Sequence, residues 1–154
     1  MFFLSSEGSK VSQIHLEKCN IHFIPFIALK QKCIVIYNAI DSSNFSFKNS
    51  ESSETLKVVM LSSNTTKKGI DDFFRVAEAV SRTSPSIAFY LFGPETSELA
   101  SRLQSYQLPN VTYSGYAKNP LDAFKDMDIV LNLSRFQESF GRTIVEGMAS
   151  GCVP

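Results

Sequence analysis

Leu56–Phe92, LKVVMLSSNTTKKGIDDFFRVAEAVSRTSPSIAFYLF, is the stretch whose reading decides the fold. Its first six residues, LKVVML, are a β-rich apolar run of strand length. After a polar loop, Ile70, Phe73, Phe74 and Ala77 recur at i, i+3, i+4 and i+7. That spacing puts four apolar side chains on one face of a helix from about Ile70 to Ser84, with Phe73 and Phe74 as core residues. Asp71 and Asp72 fall in its first turn, where negative charge suits the helix dipole. Ile87–Phe92, IAFYLF, repeats the strand signal. Strand, helix and strand in succession make a βαβ unit, whose crossover leaves the two strands parallel.

The pattern continues in both directions. Glu95–Gln107 reads as the next helix, with Leu99, Leu103 and Tyr106 on one face, and Val111–Ser114 as a third strand. Pro120–Met127 is a short helix and Asp128–Leu133 a fourth strand. Arg142–Ser150 reads as a helix that Gly151 stops, and Cys152-Val153-Pro154 as the beginning of a fifth strand. Towards the other end, Ser42–Thr55 (SSNFSFKNSESSET) is serine-rich and aperiodic, the signature of a linker. Before it, Glu7–Cys19 suits a short helix and Cys33–Tyr37 a buried strand. The fold class expected is therefore α/β: a Rossmann-like parallel sheet with flanking helices.

Such sheets bind ligands in the loops beyond the carboxyl ends of their strands. Those loops are Ser62–Gly69, Gly93-Pro94, Gly115-Tyr116 and Ser134–Gly141. The last leads into Glu138-Ser139-Phe140-Gly141-Arg142-Thr143-Ile144-Val145-Glu146, with two carboxylates eight positions apart. Gly141 allows the backbone to approach a ligand closely. Glu138 lies at a helix mouth, where free N–H groups and the positive dipole end attract anions. If the helix starts near Ser139, then Ser139 and Glu146 are i and i+7 and share a face. An anion cradle beside two hydroxyl-accepting carboxylates suits a nucleotide-activated sugar. The competing reading is plainer: Arg142 and Glu146 form an i,i+4 surface pair and Glu138 is a solvated loop acid.

A chain of 154 residues can bury one full core but hardly two. Hydrophobic content of 44% and charged content of 19% are ordinary for a globular domain. Fifteen basic residues balance fifteen acidic ones, so no overall field favours nucleic acid or an anionic membrane, and no nucleic-acid partner is expected. Cys19, Cys33 and Cys152 are odd in number and widely spaced, which suits buried thiols in a reducing compartment rather than a disulfide or zinc framework. Met1-Phe2-Phe3-Leu4 lacks the form of a signal peptide, and Ile21–Tyr37 is too interrupted by polar residues to span a membrane. The expected location is cytoplasmic, with room for peripheral membrane association of a whole enzyme. The four Asn-x-Ser/Thr triplets, at Asn44, Asn64, Asn110 and Asn132, carry no weight in a chain without an export signal.

Taken in order, Lys68-Gly69-Ile70-Asp71-Asp72-Phe73, Leu91-Phe92-Gly93 and Val111–Tyr116 form a recognisable series. Asp128-Ile129-Val130-Leu131, Glu138-Ser139-Phe140-Gly141 and Glu146–Pro154 complete it. From about Lys57 to Pro154 the chain resembles the C-terminal, donor-binding half of retaining family 4 glycosyltransferases, which have the two-Rossmann GT-B architecture. Ile36–Asp41 is similar to that family's interdomain crossing sequence. The resemblance implies that Glu138 meets the donor sugar's hydroxyls and Glu146 the ribose. Backbone groups at Ser139, Phe140 and Gly141 would face sugar and diphosphate, with Gly93 and Ser63 on neighbouring loops. Lys68 would stabilise charge on the departing diphosphate, and Gly115 and Tyr116 would lie beside the base. It also implies a nucleotide diphosphosugar donor, a glycan or lipid-linked acceptor, retention of anomeric configuration, and neither cofactor nor metal.

The family usually has Gly-Arg after the first strand of this domain, where this chain has Ser62-Ser63. One bidentate cation is therefore absent, and either Lys67 compensates or donor affinity is lower. The expected organisation is a remnant of the acceptor domain and crossing segment over 1–41, a linker over 42–55, and a donor domain over 56–154 that ends short of the family pattern. An isolated fragment would then be inactive, with an uncovered sheet edge that favours association. A degenerate, non-catalytic sugar-nucleotide-binding or interaction module is the alternative. Asp126-Met127-Asp128 has the Asp-x-Asp form of a metal motif, but it joins a helix end to a strand start, away from the ligand rim. His15 and His22 have no ligand cluster at metal spacing. Neither a Gly-x-Gly-x-x-Gly nor a P-loop motif is present.

Overall fold

The computed structural model describes residues 38–45, 55–138 and 140–154. The elements below all belong to the compact unit Ile40–Pro154. The helix expected over 7–19, the strand over 33–37, much of the serine-rich stretch and Ser139 lie outside the described residues. Within that stretch Ser42–Asn44 form a 3-10 turn. Asp41 nucleates it, its carboxylate accepting from Ser43 N at 3.1 Å, Ser43 Oγ at 2.6 Å and Asn44 Nδ2 at 3.0 Å.

The chain then alternates as expected. In order come β1 (Leu56–Leu61), α1 (Ile70–Thr83), β2 (Ile87–Phe92), α2 (Ser97–Tyr106), β3 (Val111–Tyr113), α3 (Pro120–Phe124), β4 (Ile129–Val130) and α4 (Arg142–Ala149). All pairings are parallel, in the order β3-β2-β1-β4. Val58 stands opposite both Phe89 and Ile129, so β1 is central.

Several elements are shorter than their sequence signals. α2 begins at Ser97 because the Thr96 hydroxyl accepts from Leu99 N at 3.0 Å and caps it. α3 stops at Phe124, and Asp126 adopts the left-handed conformation at φ 63°. The ladder of β4 holds only Ile129 and Val130, since Asn132 turns its side chain back to accept from Ser134 N at 3.2 Å. The fifth strand appears as one parallel bridge, Ile129 to Val153, with Val130 N donating to Val153 O at 2.8 Å.

Period-2 alternation divides the core into two layers. Val58, Met60, Phe89 and Leu91 face α1 and α2, where Ile70, Phe73, Phe74, Ala77 and Leu99 are buried. Val59 and Val130 face the opposite layer with Phe124, Met127 and Cys152. The ring of Phe73 meets Phe74 and Phe89 edge-on at 5.7 and 5.8 Å, and Phe74 stacks on Tyr106 at 5.2 Å. Each such pair adds about 0.5–1.5 kcal/mol beyond burial. Cys152 is buried in this layer, and its thiol donates to Met127 O at 3.5 Å. Gly147 lets α4 lie against β4, because a Cβ there would stand 2.7 Å from Val130 Cγ1. Among the described residues no helix is long and apolar enough to cross a membrane.

The topology contains one reversal. From β1 the chain steps outward to β2 and β3, then returns to lay β4 on the other side of β1. The loops leaving β1 and β4 therefore run to opposite layers and open a crevice between them. Gly69 sits in that crevice at φ +82°, and a Cβ there would lie 2.1 Å from Leu133 O. Gly69→Ala should accordingly cost about 2–4 kcal/mol through a left-handed Ala and a backbone overlap. Gly115→Ala, at φ +78° with nothing within 4 Å of the new Cβ, should cost only about 1 kcal/mol. Urea unfolding of both variants checks the difference, and equal losses would contradict this packing of the crevice.

Candidate functional site

The crevice is a cleft of about 330 Å³. Loops after all four strands line it: Ser62, Ser63 and Lys68 after β1, Gly93 and Pro94 after β2, Tyr116 and Ala117 after β3, and Asn132, Glu138 and Thr143 after β4. Asn64, which the sequence reading weighed only as an Asn-x-Ser/Thr triplet, fastens the first two loops together. Fully buried at φ 54°, it donates from Nδ2 to Pro94 O at 3.0 Å, and its carbonyl accepts from Thr96 Oγ1 at 2.7 Å. Asparagine tolerates that backbone conformation better than most residues. Gly93 N donates to Gly115 O at 2.9 Å, and Tyr113 OH to Gly93 O at 2.9 Å, which ties in the third loop.

Lys68 ends a 3-10 turn, Thr66–Lys68, that is held to α2 by the Glu98 carboxylate accepting from Thr66 N. Its ammonium donates to Glu138 Oε1 at 2.6 Å. The same oxygen accepts from Ser134 Oγ at 3.0 Å. Lys68 holds the Glu138 carboxyl below its ordinary value of 4.5; partial burial opposes the shift and Ser134 adds to it. Two residues from loops 70 positions apart are thus joined on one wall of the cleft.

Three further contacts clamp these loops. Arg135 grips Asp72 bidentately, Nε and NH2 each at 2.8 Å from a carboxylate oxygen. The hydrogen bonds with Arg135 lower the Asp72 pKa, and those with Asp72 raise that of Arg135. Arg135 N donates to Lys67 O at 3.1 Å. The ring of Phe136 carries the Lys67 and Lys68 ammoniums at 4.6 and 4.4 Å from its centroid.

The remaining carboxylate behaves differently. Glu146 is buried, at 5% exposure, and its Oε1 accepts from Arg142 Nε at 2.6 Å. The i,i+4 pair forms, yet its acid is inside the fold rather than on the surface. α4 begins at Arg142, so the i,i+7 relation of Ser139 and Glu146 within one helix does not apply. Glu146, Phe140, Gly141 and Gly115 are not among the residues lining the cleft, whereas Ser63, Lys68, Gly93, Tyr116 and Glu138 are. Tyr116 is 72% exposed at the rim.

The first turn of α4 is electropositive. Gly141 precedes it at φ 69° with no side-chain cap, and no acid occupies the first turn. By contrast, α1 has Asp71 and Asp72, α2 has the Thr96 cap and Glu98, and α3 has the Asn119 cap and Asp122. Thr143 of that first turn lines the same cleft as Lys68, so the N-terminus of α4 opens on it and can receive an anion. Thr143 and Asn132 are cleft residues that sequence reasoning missed. Thr143 carries the signal of a polar residue in an uncapped first turn, and Asn132 the signal of a polar residue directly after a strand. At the opposite edge of the sheet, Asp128 Oδ2 accepts from Lys57 N at 2.7 Å.

The model of the family described as glycosyl transferases group 1 matches residues 41–154. The chain belongs to that family. No curated protein matches it significantly. Among solved structures it is similar to a variant of TarM from S. aureus, in complex with fondaparinux, alpha-GlcNAc-glycerol and UDP: 26% identical over 79% of this chain and 25% of that one, TM-score 0.56. It is also similar to the C-terminal domain of LpcC, a group 1 glycosyl transferase from Francisella tularensis, with 18% identity, 74% and 68% coverage and a TM-score of 0.59. Anabaena HepE, in complex with UDP and glucose, matches at 23% identity, 64% and 28% coverage and a TM-score of 0.53. The chain thus spans about a quarter of TarM and under a third of HepE. Its parallel sheet is the Rossmann-like architecture of these GT-B enzymes.

The Lys68–Glu138 pair should make a pH-dependent contribution to this group 1 domain. A carboxylate with a lowered folded-state pKa stabilises the fold above its unfolded value and loses that contribution as pH falls through the folded one. The stability gap between wild type and Lys68→Met should therefore be largest at neutral pH and close on acidification. In an NMR titration, the Glu138 carboxyl should have its midpoint below 4.5 in wild type and move upward in Lys68→Met. The same midpoint in both proteins would contradict the pairing.

Proposed function

We propose that residues 56–154 hold a nucleotide diphosphosugar donor in this cleft, and that the whole enzyme transfers the sugar to a glycan or lipid-linked acceptor with retention of configuration. The observation that carries the reading is the Lys68–Glu138 pair on the cleft wall, beside the uncapped start of α4. TarM, which is 26% identical, was crystallised with UDP, and this supports a uridine nucleotide as the first donor to try.

The geometry suggests an exchange of partners. Lys68 is neutralised by Glu138 on the cleft wall. An arriving diphosphate offers the ammonium a stronger partner, supplemented by the α4 N–H groups. Lys68 then stands where negative charge grows as the bond between sugar and phosphate breaks, so its contribution is largest in the transition state. Glu138, released from Lys68, accepts hydrogen bonds from donor-sugar hydroxyls and orients the reacting ring. Glu146, held by Arg142 inside the domain, serves the ribose side once the nucleotide is seated. Neither step calls for a metal or cofactor.

The exchange gives two variants opposite effects on the binding of free uridine diphosphate, which has no sugar to occupy Glu138. Glu138→Gln should tighten it by on the order of tenfold, about 1.4 kcal/mol, by freeing Lys68. Lys68→Ala should weaken it and should remove about 2–4 kcal/mol of transition-state stabilisation from the whole enzyme. Calorimetric titration measures the first pair of effects and steady-state kinetics the last. Weaker binding by Glu138→Gln would sink the exchange. Binding without any transfer by the whole protein would favour the non-catalytic module.

A further inference from the structure

We infer that Ser134 is a positioning residue for Glu138: its hydroxyl holds the carboxylate on the cleft wall once a ligand draws Lys68 away, and so eases that exchange. The inference rests on the donor site proposed above. It starts from the way the carboxylate is shared. Lys68 Nζ at 2.6 Å and Ser134 Oγ at 3.0 Å both donate to the same oxygen, Oε1 of Glu138. An oxygen with two donors has its lone pairs filled. Among the described residues none donates to Oε2, which leaves that oxygen for ligand hydroxyls.

The two donors respond differently to a ligand. Lys68 comes from the loop after β1, lines the cleft and carries the charge that a phosphate attracts. Ser134 is neutral and belongs to the segment of Glu138 itself, four residues earlier. That segment is fastened on both sides of Ser134 without using its hydroxyl. Ser134 N donates to Asn132 Oδ1 at 3.2 Å, Arg135 N donates to Lys67 O at 3.1 Å, and the Arg135 guanidinium is locked on Asp72. The hydroxyl has no part in this turn, and its bond goes to Glu138. When Lys68 leaves, Ser134 is the donor that stays with Glu138 among the described residues. A hydroxyl bonds more strongly to a carboxylate whose charge is no longer shared with an ammonium. The bond therefore strengthens as the pair opens, and it keeps a long side chain from turning away from the sugar.

The test is calorimetric titration of uridine diphosphate into wild type, Ser134→Ala, Ser134→Thr, Glu138→Gln and the double variant Ser134→Ala/Glu138→Gln. Scalar couplings of the Glu138 side chain, measured by NMR in the nucleotide-saturated proteins, accompany it. Melting temperatures establish that each variant is folded. Ser134→Ala should weaken binding about threefold in wild type and have no effect in Glu138→Gln, where no charge is left to hold. Ser134→Thr, which keeps a hydroxyl, should bind as wild type does. Glu138 should occupy one rotamer in wild type and Ser134→Thr, and average over several in Ser134→Ala. An equal loss in the Glu138→Gln background shows a merely structural serine and overturns this inference, leaving the donor site standing. A Glu138 side chain that keeps its rotamer without the hydroxyl, or unchanged affinity in Ser134→Ala, overturns it likewise. Absence of binding by wild type overturns the donor site and the inference together.

Discussion

The contact of Gly69 with Leu133 is the constraint from which the rest of the site follows. At that point the loop leaving β1 and the segment leaving β4 pass within backbone contact distance. Only a residue without a Cβ, in a left-handed conformation, fits between them. Because of this closeness, Lys68 and Arg135, each within two residues of the contact, can reach partners on the opposite loop. The salt bridge to Glu138 and the clamp on Asp72 are consequences. A looser crossing would leave the same residues as solvated loop charges, which is the plain reading their sequence equally allowed.

The charges of the site are arranged in pairs that a ligand can rearrange. Lys68 with Glu138 is a partly buried pair at the cleft wall, and Arg142 with Glu146 joins an exposed guanidinium to a buried carboxylate. The first can dissociate at modest cost, since both partners remain in reach of water. The second is harder to break, because an unpaired carboxylate would be left inside the fold. The two glutamates therefore have different dispositions: Glu138 is exchangeable and Glu146 is fixed. In the donor reading proposed above, the exchangeable acid is the one assigned to the reacting sugar and the fixed acid the one assigned to the ribose.

Much of the fold was legible because its signals are redundant. The stripe Ile70, Phe73, Phe74 and Ala77 marks both a helix and its buried face, and all four are in the core. The layers follow from the alternation of Val58 and Met60 against Val59 and Leu61. Boundaries were less legible, since they depend on single groups such as the Thr96 hydroxyl and the turn at Asp126. In the site, Lys68, Glu138, Gly93, Ser63 and Tyr116 could be placed from their loops, because parallel topology brings those loops to one rim. Asn64, Arg135 and Phe136 could not. Their roles lie in contacts between loops distant in sequence, and nothing in periodicity or spacing announces which loop residue will meet which. The surface pair expected for Arg142 and Glu146 formed with the right spacing in a different setting, because Gly147 draws that side of α4 onto β4.

The most direct test of the central claim is amide-shift mapping by NMR as uridine diphosphate is added to the chain. A diphosphate bound at the crossing of β1 and β4 should shift the amides of Lys68, Gly93, Tyr116 and Thr143 most, since these residues follow four different strands and all line this cleft. The amides of Lys57 and Asp128, at the other end of the strands, should not move. Shifts confined to that opposite edge, or to one loop alone, would show that the cleft is not the site and would contradict the account.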